Sequence, residues 1–419
     1  VMAAGWLVEN GVIKDARAYY ALLALTPAIF FATILASFRG YFQGHQLMTP
    51  PAVSQIVEQF IRVVTMVVLA YVLLPYGLEF AAAGAAFGAV PGSLTGLVVL
   101  GGFYRYYKKQ WRDEECALPG AQLTPARRLI KRLLLLALPV SCANVIVPVT
   151  SSIDVLLVPK YLLAAGFSVK EATTQFGYLA GMAQPLLLMA TIPTMSLATS
   201  LVPAVSEGMA LKRWPLIEEK LATAMKLCCL ITVPAAVGMS ALAEPISRLL
   251  YGTGEAAAAI MHSGPAIWFL GLQQVTTGML QGMGHTNLPM LHMLSGIVAK
   301  LIAVCQLTNA EYGIAGAAWA TNINFGVTAA LNILALQYFK IKFHWLSICK
   351  IILAAFVMGA AAQALHGLLA GFNYTLATLA ALAGAGVVYA ALLPLLRIIS
   401  VAELKQLPLV KKLAQKLRK

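Results

Sequence analysis

Charged side chains are scarce in this sequence, at 11% of 419 residues, whereas hydrophobic residues make up 60%. In a typical soluble domain about a quarter of the residues are charged, so the composition excludes an ordinary water-soluble protein. Eleven apolar runs are each long enough to cross about 30 Å of hydrocarbon as a helix, and residues 1–9 resemble the end of another. The runs are 18–38, 52–75, 80–104, 129–158, 175–203, 216–243, 256–280, 288–308, 313–338, 345–369 and 372–397.

Clusters of catalytic or metal-binding residues are also missing. The six cysteines lie singly or as one adjacent pair, and no CxxC occurs, so neither a metal site nor a disulfide framework is indicated. No Ser-His-Asp or paired-carboxylate spacing appears, and no hydrophilic stretch is long enough for a soluble catalytic domain. The sequence therefore predicts a protein that is not an enzyme and has no cofactor, with Na⁺ or H⁺ coupling left open.

Acidic residues are few, at 16 against 30 Lys and Arg, which gives a formal net charge of +14. The cations concentrate in alternate loops and in the C-terminal tail, a placement that argues against nucleic acid as a partner. The positive-inside rule assigns these segments to the cytoplasm, and we expect the tail to lie along the inner leaflet as an interfacial helix. The cation-rich segments are 105–132, 212–220, 340–350 and 405–419.

One apolar sequence occurs twice, 238 residues apart. PAIFFATILASFRGYFQG at 27–44 matches PAIWFLGLQQVTTGMLQG at 265–282 without a gap, and GAAF at 84–87 matches GAAW at 316–319. A repeat of this length predicts two similar helical bundles, the arrangement that transporters use to place a substrate path between halves. The repeated glycines, at 40, 44, 278 and 282, are expected to allow close helix packing and a tight turn.

The repeat also predicts the organisation of the chain. Projecting it back from Leu129 leads to a point about 110 residues before Val1, so we expect an N-terminally truncated chain that lacks two spans and most of a third. The expected fold is an all-α polytopic membrane protein with two pseudo-symmetric bundles and two additional helices. The predicted parts are 1–115 (remainder of the N-lobe), 116–128 (cytoplasmic inter-lobe loop), 129–340 (C-lobe), 341–399 (two additional helices) and 400–419 (basic tail).

Ionisable residues within spans are the best site candidates, because each costs at least a few kcal/mol unless it faces a cavity or a partner. Ser54, Glu58 and Arg62 recur every four residues and therefore share one helix face. Glu58 precedes Arg62 in the favourable order for an ion pair. Either the two charges neutralise each other, or this face, together with Gln55, lines a polar path for a substrate.

The repeat places Lys300 at the position that Arg62 occupies in the first bundle, on one helix face with His292. Lys300 has no carboxylate on its own helix, so an acidic residue of another span or an anionic substrate must neutralise it. Arg39, at the cytoplasmic end of its span, is either an interfacial arginine or a residue at the inner mouth. The candidate substrate-binding residues are Arg39, Gln55, Glu58, Arg62, His292 and Lys300.

Asp154 is the carboxylate of the span 129–158. Together with Ser151 and Thr150 it is a candidate for binding a sodium ion or a proton, because hard cations bind oxygen ligands. Two alternatives stay open: Asp154 is the partner of Lys300, or it is solvated at the outer end of its span.

FRGYFQGHQLMTPPAVSQIVEQFIRVV at 38–64, followed by YGLEFAAAGAAFGAVPG at 76–92, resembles the stage V sporulation protein B group of bacterial polysaccharide exporters. This group is part of the multidrug/oligosaccharidyl-lipid/polysaccharide superfamily, which also contains the lipid II flippases. The resemblance covers essentially the whole chain. It implies fourteen helices in the bacterial plasma membrane, with two six-helix lobes and two extra C-terminal helices.

The resemblance further implies export of an undecaprenyl-pyrophosphate-linked saccharide, such as a peptidoglycan precursor, by alternating access. Membrane lipids and cell-wall synthesis enzymes are the partners that it implies. Two other functions stay open: a multidrug or cation antiporter of the same architecture, and a non-transporting scaffold for cell-wall synthesis. Small residues of the last two spans, such as Gly359 and Ala360, either form a groove for the prenyl tail or serve dense packing.

The resemblance implies a cationic cavity. We expect Arg62 and Lys300, with Arg39 near the inner mouth, to hold the pyrophosphate while Glu58 positions Arg62, because a buried diphosphate needs cations near it. A sodium ligand of some relatives, an acidic residue on the seventh helix, corresponds to Asp154. The eleventh helix offers His292 and Lys300 where the family's sodium site has Asp or Asn.

Overall fold

The computed structural model describes residues 18–115, 125–341, 345–369, 371 and 374–398. The predicted stub at 1–9, most of the inter-lobe loop and the basic tail lie outside these residues. Helices and turns, without a β-strand, make up the part that is described. The helices are α1 (Ala18–Gly44), α2 (Thr49–Leu73), α3 (Leu78–Phe87), α4 (Ala89–Glu115), α5 (Ala126–Ala164), α6 (Val169–Gly177), α7 (Gln184–Ala210), α8 (Trp214–Ala241), α9 (Ala243–Tyr251), α10 (Ala257–Gly282), α11 (Asn287–Leu307), α12 (Gly313–Tyr338), α13 (Trp345–Leu369) and α14 (Tyr374–Leu395).

The described helices divide into two compact units. Unit 1 contains α1 to α4 and ends at Pro125, and unit 2 contains α5 to α14 and begins at Ala126. A short 3₁₀ turn, Leu74–Tyr76, follows α2, and a π-helical turn, Tyr178–Ala183, joins α6 to α7.

Nine helical segments of the described residues are long and apolar enough to cross a membrane, whereas the sequence predicts eleven spans. The two others, α10 and α12, are each 26 residues long but less apolar. Their polar side chains, such as Gln274 and Asn332, hydrogen-bond to neighbouring helices. The chain is an all-α, multi-pass membrane protein.

In unit 1, α2 packs against α3 and α4 along a row of glycines. A Cβ at Gly88 would lie 2.9 Å from the Met66 backbone nitrogen, and one at Gly92 would lie 3.0 Å from the Arg62 Cβ. Gly84 and Gly96 continue this row at four-residue spacing, which keeps all four on one face. Because these positions have no side chain, the helix backbones approach closely.

In unit 2, α10 is the central helix, and it packs against α7, α8 and α12. Most of its side chains are buried, from Ala259 to Gly282. The segment α6–α7 begins with a capping box, in which Ser168 Oγ accepts the Glu171 N–H at 3.3 Å and the Glu171 carboxylate accepts the Ser168 N–H at 2.8 Å. α11 packs mainly on α12, and α5 packs on α11.

The last two helices, α13 and α14, pack against each other, and α13 also packs on α8. A Cβ at Gly359 would lie 2.6 Å from Val237 Cγ1, and one at Gly384 would lie 2.5 Å from Leu365 Cδ2. At these two glycines the small residues therefore serve dense packing, one of the two roles expected from the sequence.

The repeated glycines have different surroundings in the two units. A Cβ at Gly278 would lie 2.7 Å from the Ala198 carbonyl oxygen, and one at Gly282 would be similarly close to α7. These two glycines allow α7 to pack closely on α10, as expected. A Cβ at Gly40 or Gly44 would meet no atom of the described residues within 4 Å, so the expected packing role is not observed in α1.

Candidate functional site

Arg39 of α1 forms hydrogen bonds to the polar face of α2. The Arg39 guanidinium donates to Glu58 Oε2 at 2.5 Å through Nη2 and to Ser54 Oγ at 3.2 Å through Nε. The two charged side chains are only 18% and 12% exposed, so the contact is largely shielded from solvent. Ser54 is fully buried and donates its own hydroxyl to the Pro51 carbonyl oxygen.

The expected pairing of Glu58 with Arg62 is wrong, because Glu58 is turned toward α1 and binds Arg39. An exposed ion pair between residues four apart on a helix contributes only a few tenths of a kcal/mol. A partly buried contact with Arg39, supported by a charge-assisted hydrogen bond, is the stronger alternative. Glu58 therefore does not position Arg62, contrary to the expectation from the sequence.

Arg62 is exposed and lies midway along α2, beyond the contact with Arg39. Within the described ranges, no residue forms an ion pair or a hydrogen bond with its guanidinium. Gln55, on the same helix, is also exposed. Of the two candidate arginines of unit 1, Arg39 is neutralised by Glu58, whereas Arg62 has no protein partner among the described residues.

We expect Arg39→Ala and Glu58→Ala to be energetically coupled by about 1 kcal/mol, because each substitution removes the same shielded hydrogen bond. The matched cycle of Arg62→Ala with Glu58→Ala is expected to show coupling near zero. Denaturant or thermal unfolding of the single and double variants measures both cycles. A stronger coupling of Glu58 to Arg62 than to Arg39 would reinstate the pairing inferred from the four-residue spacing.

Unit 2 contains a buried ion pair between α5 and α11. Lys300 Nζ donates to Asp154 Oδ2 at 2.6 Å, and the two side chains are 2% and 6% exposed. Of the alternatives left open by the sequence, the structure therefore shows Asp154 as the partner of Lys300. The buried ammonium of Lys300 is not presented to a substrate, in contrast to the guanidinium of Arg62.

A separate hydrogen-bonded network joins α11, α12 and α10 around Asn332. His292 Nδ1 lies 2.8 Å from Asn332 Oδ1, and Asn332 Nδ2 donates to the hydroxyls of Thr276 and Thr277 on α10. Between His292 and Lys300, Gly296 allows α12 to approach closely. His292 is thus engaged in helix packing rather than free for a ligand.

An apolar cavity of about 610 Å³ lies within unit 2, between α8, α10, α12 and α13. Aromatic side chains form much of its wall, and Gly359 and Ala360 of α13 contribute small residues. The aromatic lining residues are Trp268, Phe269, Trp319 and Phe356. Among the described residues, no group of three or more His, Cys, Asp or Glu side chains could hold a metal ion.

Three features of these sites were not predicted from the sequence: Arg39 as the partner of Glu58, the Asn332 network and the apolar cavity. The glycine row of unit 1 was also not predicted, although the sequence shows its four-residue spacing from Gly84 to Gly96.

Comparison with known proteins gives a match over nearly the whole chain. Stage V sporulation protein B of Bacillus subtilis (strain 168) is 31% identical over 413 residues, which cover 97% of this chain and 79% of that protein. The chain belongs to the stage V sporulation protein B family. The family model described as polysaccharide biosynthesis protein matches residues 1–209, and the MatE model matches 179–304.

Lipid II flippases are less similar to this chain in sequence. The lipid II flippase MurJ of Bacillus subtilis (strain 168) is 25% identical over 307 residues, 70% of this chain and 55% of that protein. A solved structure of lipid II flippase MurJ in an inward closed conformation superposes with a TM-score of 0.60 at 16% identity, covering 90% of this chain and 74% of that one.

An outward-facing multidrug resistance MATE family transporter of the MOP superfamily gives a TM-score of 0.58 at 18% identity, covering 77% of this chain and 69% of that one. The two structural matches show the fold alone, that of polytopic helical transporters. MurJ and the MATE neighbour are a flippase and a transporter by name rather than enzymes, which agrees with the expected protein class.

Proposed function

We propose that this protein moves a lipid-linked saccharide with a diphosphate linkage from the cytoplasmic to the outer leaflet of the bacterial plasma membrane by alternating access. The name of one relative, a lipid II flippase, and the family model described as polysaccharide biosynthesis protein support this substrate class. The positive-inside rule supports the orientation, with the cation-rich loops in the cytoplasm. A peptidoglycan precursor is the substrate that the name of the lipid II flippase relative suggests.

The unpaired guanidinium of Arg62 is the observation that carries the proposal. It lies midway along an apolar helix and has no carboxylate partner among the described residues. An unpaired charge in a low-dielectric environment is costly, so an anion that arrives there gains a strong interaction. Arginine also matches the oxygens of a phosphate with two parallel hydrogen bonds. Gln55, exposed on the same helix, is proposed as a neutral contact for the sugar.

The apolar cavity of unit 2 is proposed to hold part of the prenyl tail. Its volume of about 610 Å³ is in the range of pockets that bind ligands of drug size, which is enough for several isoprenyl units. Its lining is overwhelmingly apolar, with Gln363 and Ser240 among the few polar residues. A flexible hydrocarbon chain gains burial there without leaving polar groups unpaired.

The direct test is transport by the purified full-length protein in lipid vesicles. A fluorescent lipid-linked disaccharide diphosphate is expected to move from one leaflet to the other, so that a membrane-impermeant quencher reaches more of it than in protein-free vesicles. Efflux of a cationic drug without movement of the lipid would instead indicate an antiporter. Movement of neither compound would indicate a scaffold, and both results would contradict the proposal.

The same assay tests the cavity through Ala360→Trp, which places a large ring at an exposed position of its lining. We expect transport of a long-prenyl substrate to fall about tenfold, the equivalent of losing about 1.4 kcal/mol of tail binding. Val357→Trp is the matched control, because Val357 is exposed on α13 but does not line the cavity. Equal transport by both variants, or equal loss for a short-prenyl substrate, would argue against this site.

A further inference from the structure

The sodium ion that the family resemblance implies at Asp154 does not fit the side chains present. The Asp154 carboxylate already binds a full positive charge, because Lys300 Nζ lies 2.6 Å from Oδ2 and is 98% shielded from solvent. The two neighbouring hydroxyls that were expected as further oxygen ligands are placed differently. Thr150 donates its hydroxyl to the Ile146 carbonyl oxygen of its own helix, and Ser151 lies on the exposed side of α5.

We propose that the Lys300 ammonium is a tethered counter-ion that takes the place of a soluble cation at Asp154. The pair is neutral as a whole, so the protein needs no metal ion at this point. This inference goes beyond the proposed function, since it holds whichever lipid the protein moves.

A tethered ammonium differs physically from a sodium ion in the same place. Its effective concentration near Asp154 is set by the helix to which it is attached, and it cannot exchange with the aqueous phase. A sodium gradient across the membrane therefore cannot drive transport through binding at this carboxylate. Conversion of binding energy into movement must rely on other groups of the protein.

The surroundings of the pair explain why a charge at Asp154 must always be compensated. Val158 and Leu162, the next residues on the same face of α5, are fully buried, and Tyr161 accepts a hydrogen bond from Cys305 of α11. α5 makes its principal packing contact within unit 2 through α11. The ion pair thus lies in the main contact between these helices, where a lone carboxylate would oppose their association.

Thermal unfolding in lipid nanodiscs tests the inference, with NaCl titrated against choline chloride at constant ionic strength. The wild-type protein is expected to show the same melting temperature in both salts. Lys300→Met is expected to lower it by roughly 5–10 °C, because an uncompensated carboxylate is left buried. Because the neighbouring hydroxyls do not complete a sodium site, sodium and choline should give this variant the same melting temperature.

The control is Asp154→Asn with Lys300→Met, which removes both charges and keeps the shapes similar. This double variant is expected to be more stable than Lys300→Met and to ignore sodium. A double variant no more stable than Lys300→Met, or sodium-specific stabilisation of the wild type that Asp154→Asn abolishes, would overturn the inference. If Lys300→Met does not fold, the second comparison still applies, and the absence of such stabilisation would support the inference.

Discussion

Arg62→Ala is expected to bind a lipid-linked diphosphate about 30-fold more weakly than the wild type, because losing a hydrogen bond between two charged groups costs about 2 kcal/mol. The guanidinium has no carboxylate partner among the described residues, so it enters the interaction without first breaking another ion pair. Arg62→Lys should fall between the two, since an ammonium keeps the charge but loses the two parallel hydrogen bonds. Titration of labelled lipid into nanodiscs containing each variant measures the affinities.

Arg248→Ala is the matched control for this prediction. Arg248 is about half exposed, but it is bound to Glu244 at 2.9 Å and lies over the ring of Tyr374. Its removal lowers the positive charge of the protein by the same amount without removing an unpaired guanidinium. Equal affinities of the wild type, Arg62→Ala and Arg248→Ala would exclude Arg62 from the diphosphate site.

Gly316→Ala is expected to lower the free energy of unfolding by about 3 kcal/mol. A Cβ at this position would lie 1.9 Å from the Leu307 carbonyl oxygen and 2.4 Å from the Leu307 carbonyl carbon. Both atoms belong to the backbone at the end of α11, so the added methyl group cannot be accommodated by a side-chain rotation. Thermal unfolding of the purified protein should show the loss as a lower melting temperature.

Gly386→Ala separates this steric effect from the general effect of replacing a helical glycine. A Cβ at Gly386, in α14, would meet no atom of the described residues within 4 Å. Alanine is about 1 kcal/mol more favourable than glycine inside a helix, so this variant should be neutral or slightly more stable. Similar destabilisation by both substitutions would show that the close approach at Gly316 is not what the structure indicates.

The repeat itself explains why Gly316 has this role. Gly84, its counterpart in unit 1, would place a Cβ 2.7 Å from Leu73 Cδ1 and 3.1 Å from the Leu69 carbonyl oxygen. In both units the repeated glycine thus lies against the end of the preceding long helix. The internal repeat therefore predicts a shared packing detail as well as a shared sequence.

The helices and their class were predictable because membrane spans obey a simple constraint. A segment such as α8 must be long enough and apolar enough to cross the hydrocarbon, and both properties are local to the sequence. The α-helical period also placed Glu58 on one face with Arg62. What the period does not specify is which neighbouring helix lies opposite that face, and this is why Arg39 was missed as the partner of Glu58.

The site of unit 2 was predictable to a different extent. Two unpaired mid-span charges of opposite sign, Asp154 and Lys300, suggested a pair because each would otherwise be costly. The network around Asn332 and the apolar cavity depend on how α8, α10, α12 and α13 cross. The angle at which two helices cross follows from the combined packing of many side chains on both helices. The sequence of one helix therefore does not specify it.

The modest apolarity of α10 and α12 has a consequence for biogenesis. A segment rich in Gln, Asn and Thr gains less free energy from leaving the translocon than its apolar neighbours do. In the finished protein these groups hydrogen-bond to neighbouring helices: Gln274 of α10 accepts from Thr194 of α7, and Asn332 of α12 donates to Thr276 of α10. We therefore expect α10 to insert completely only when flanking helices are present to hydrogen-bond its polar side chains. The helices of unit 2 then assemble in the membrane while the chain is still being translated.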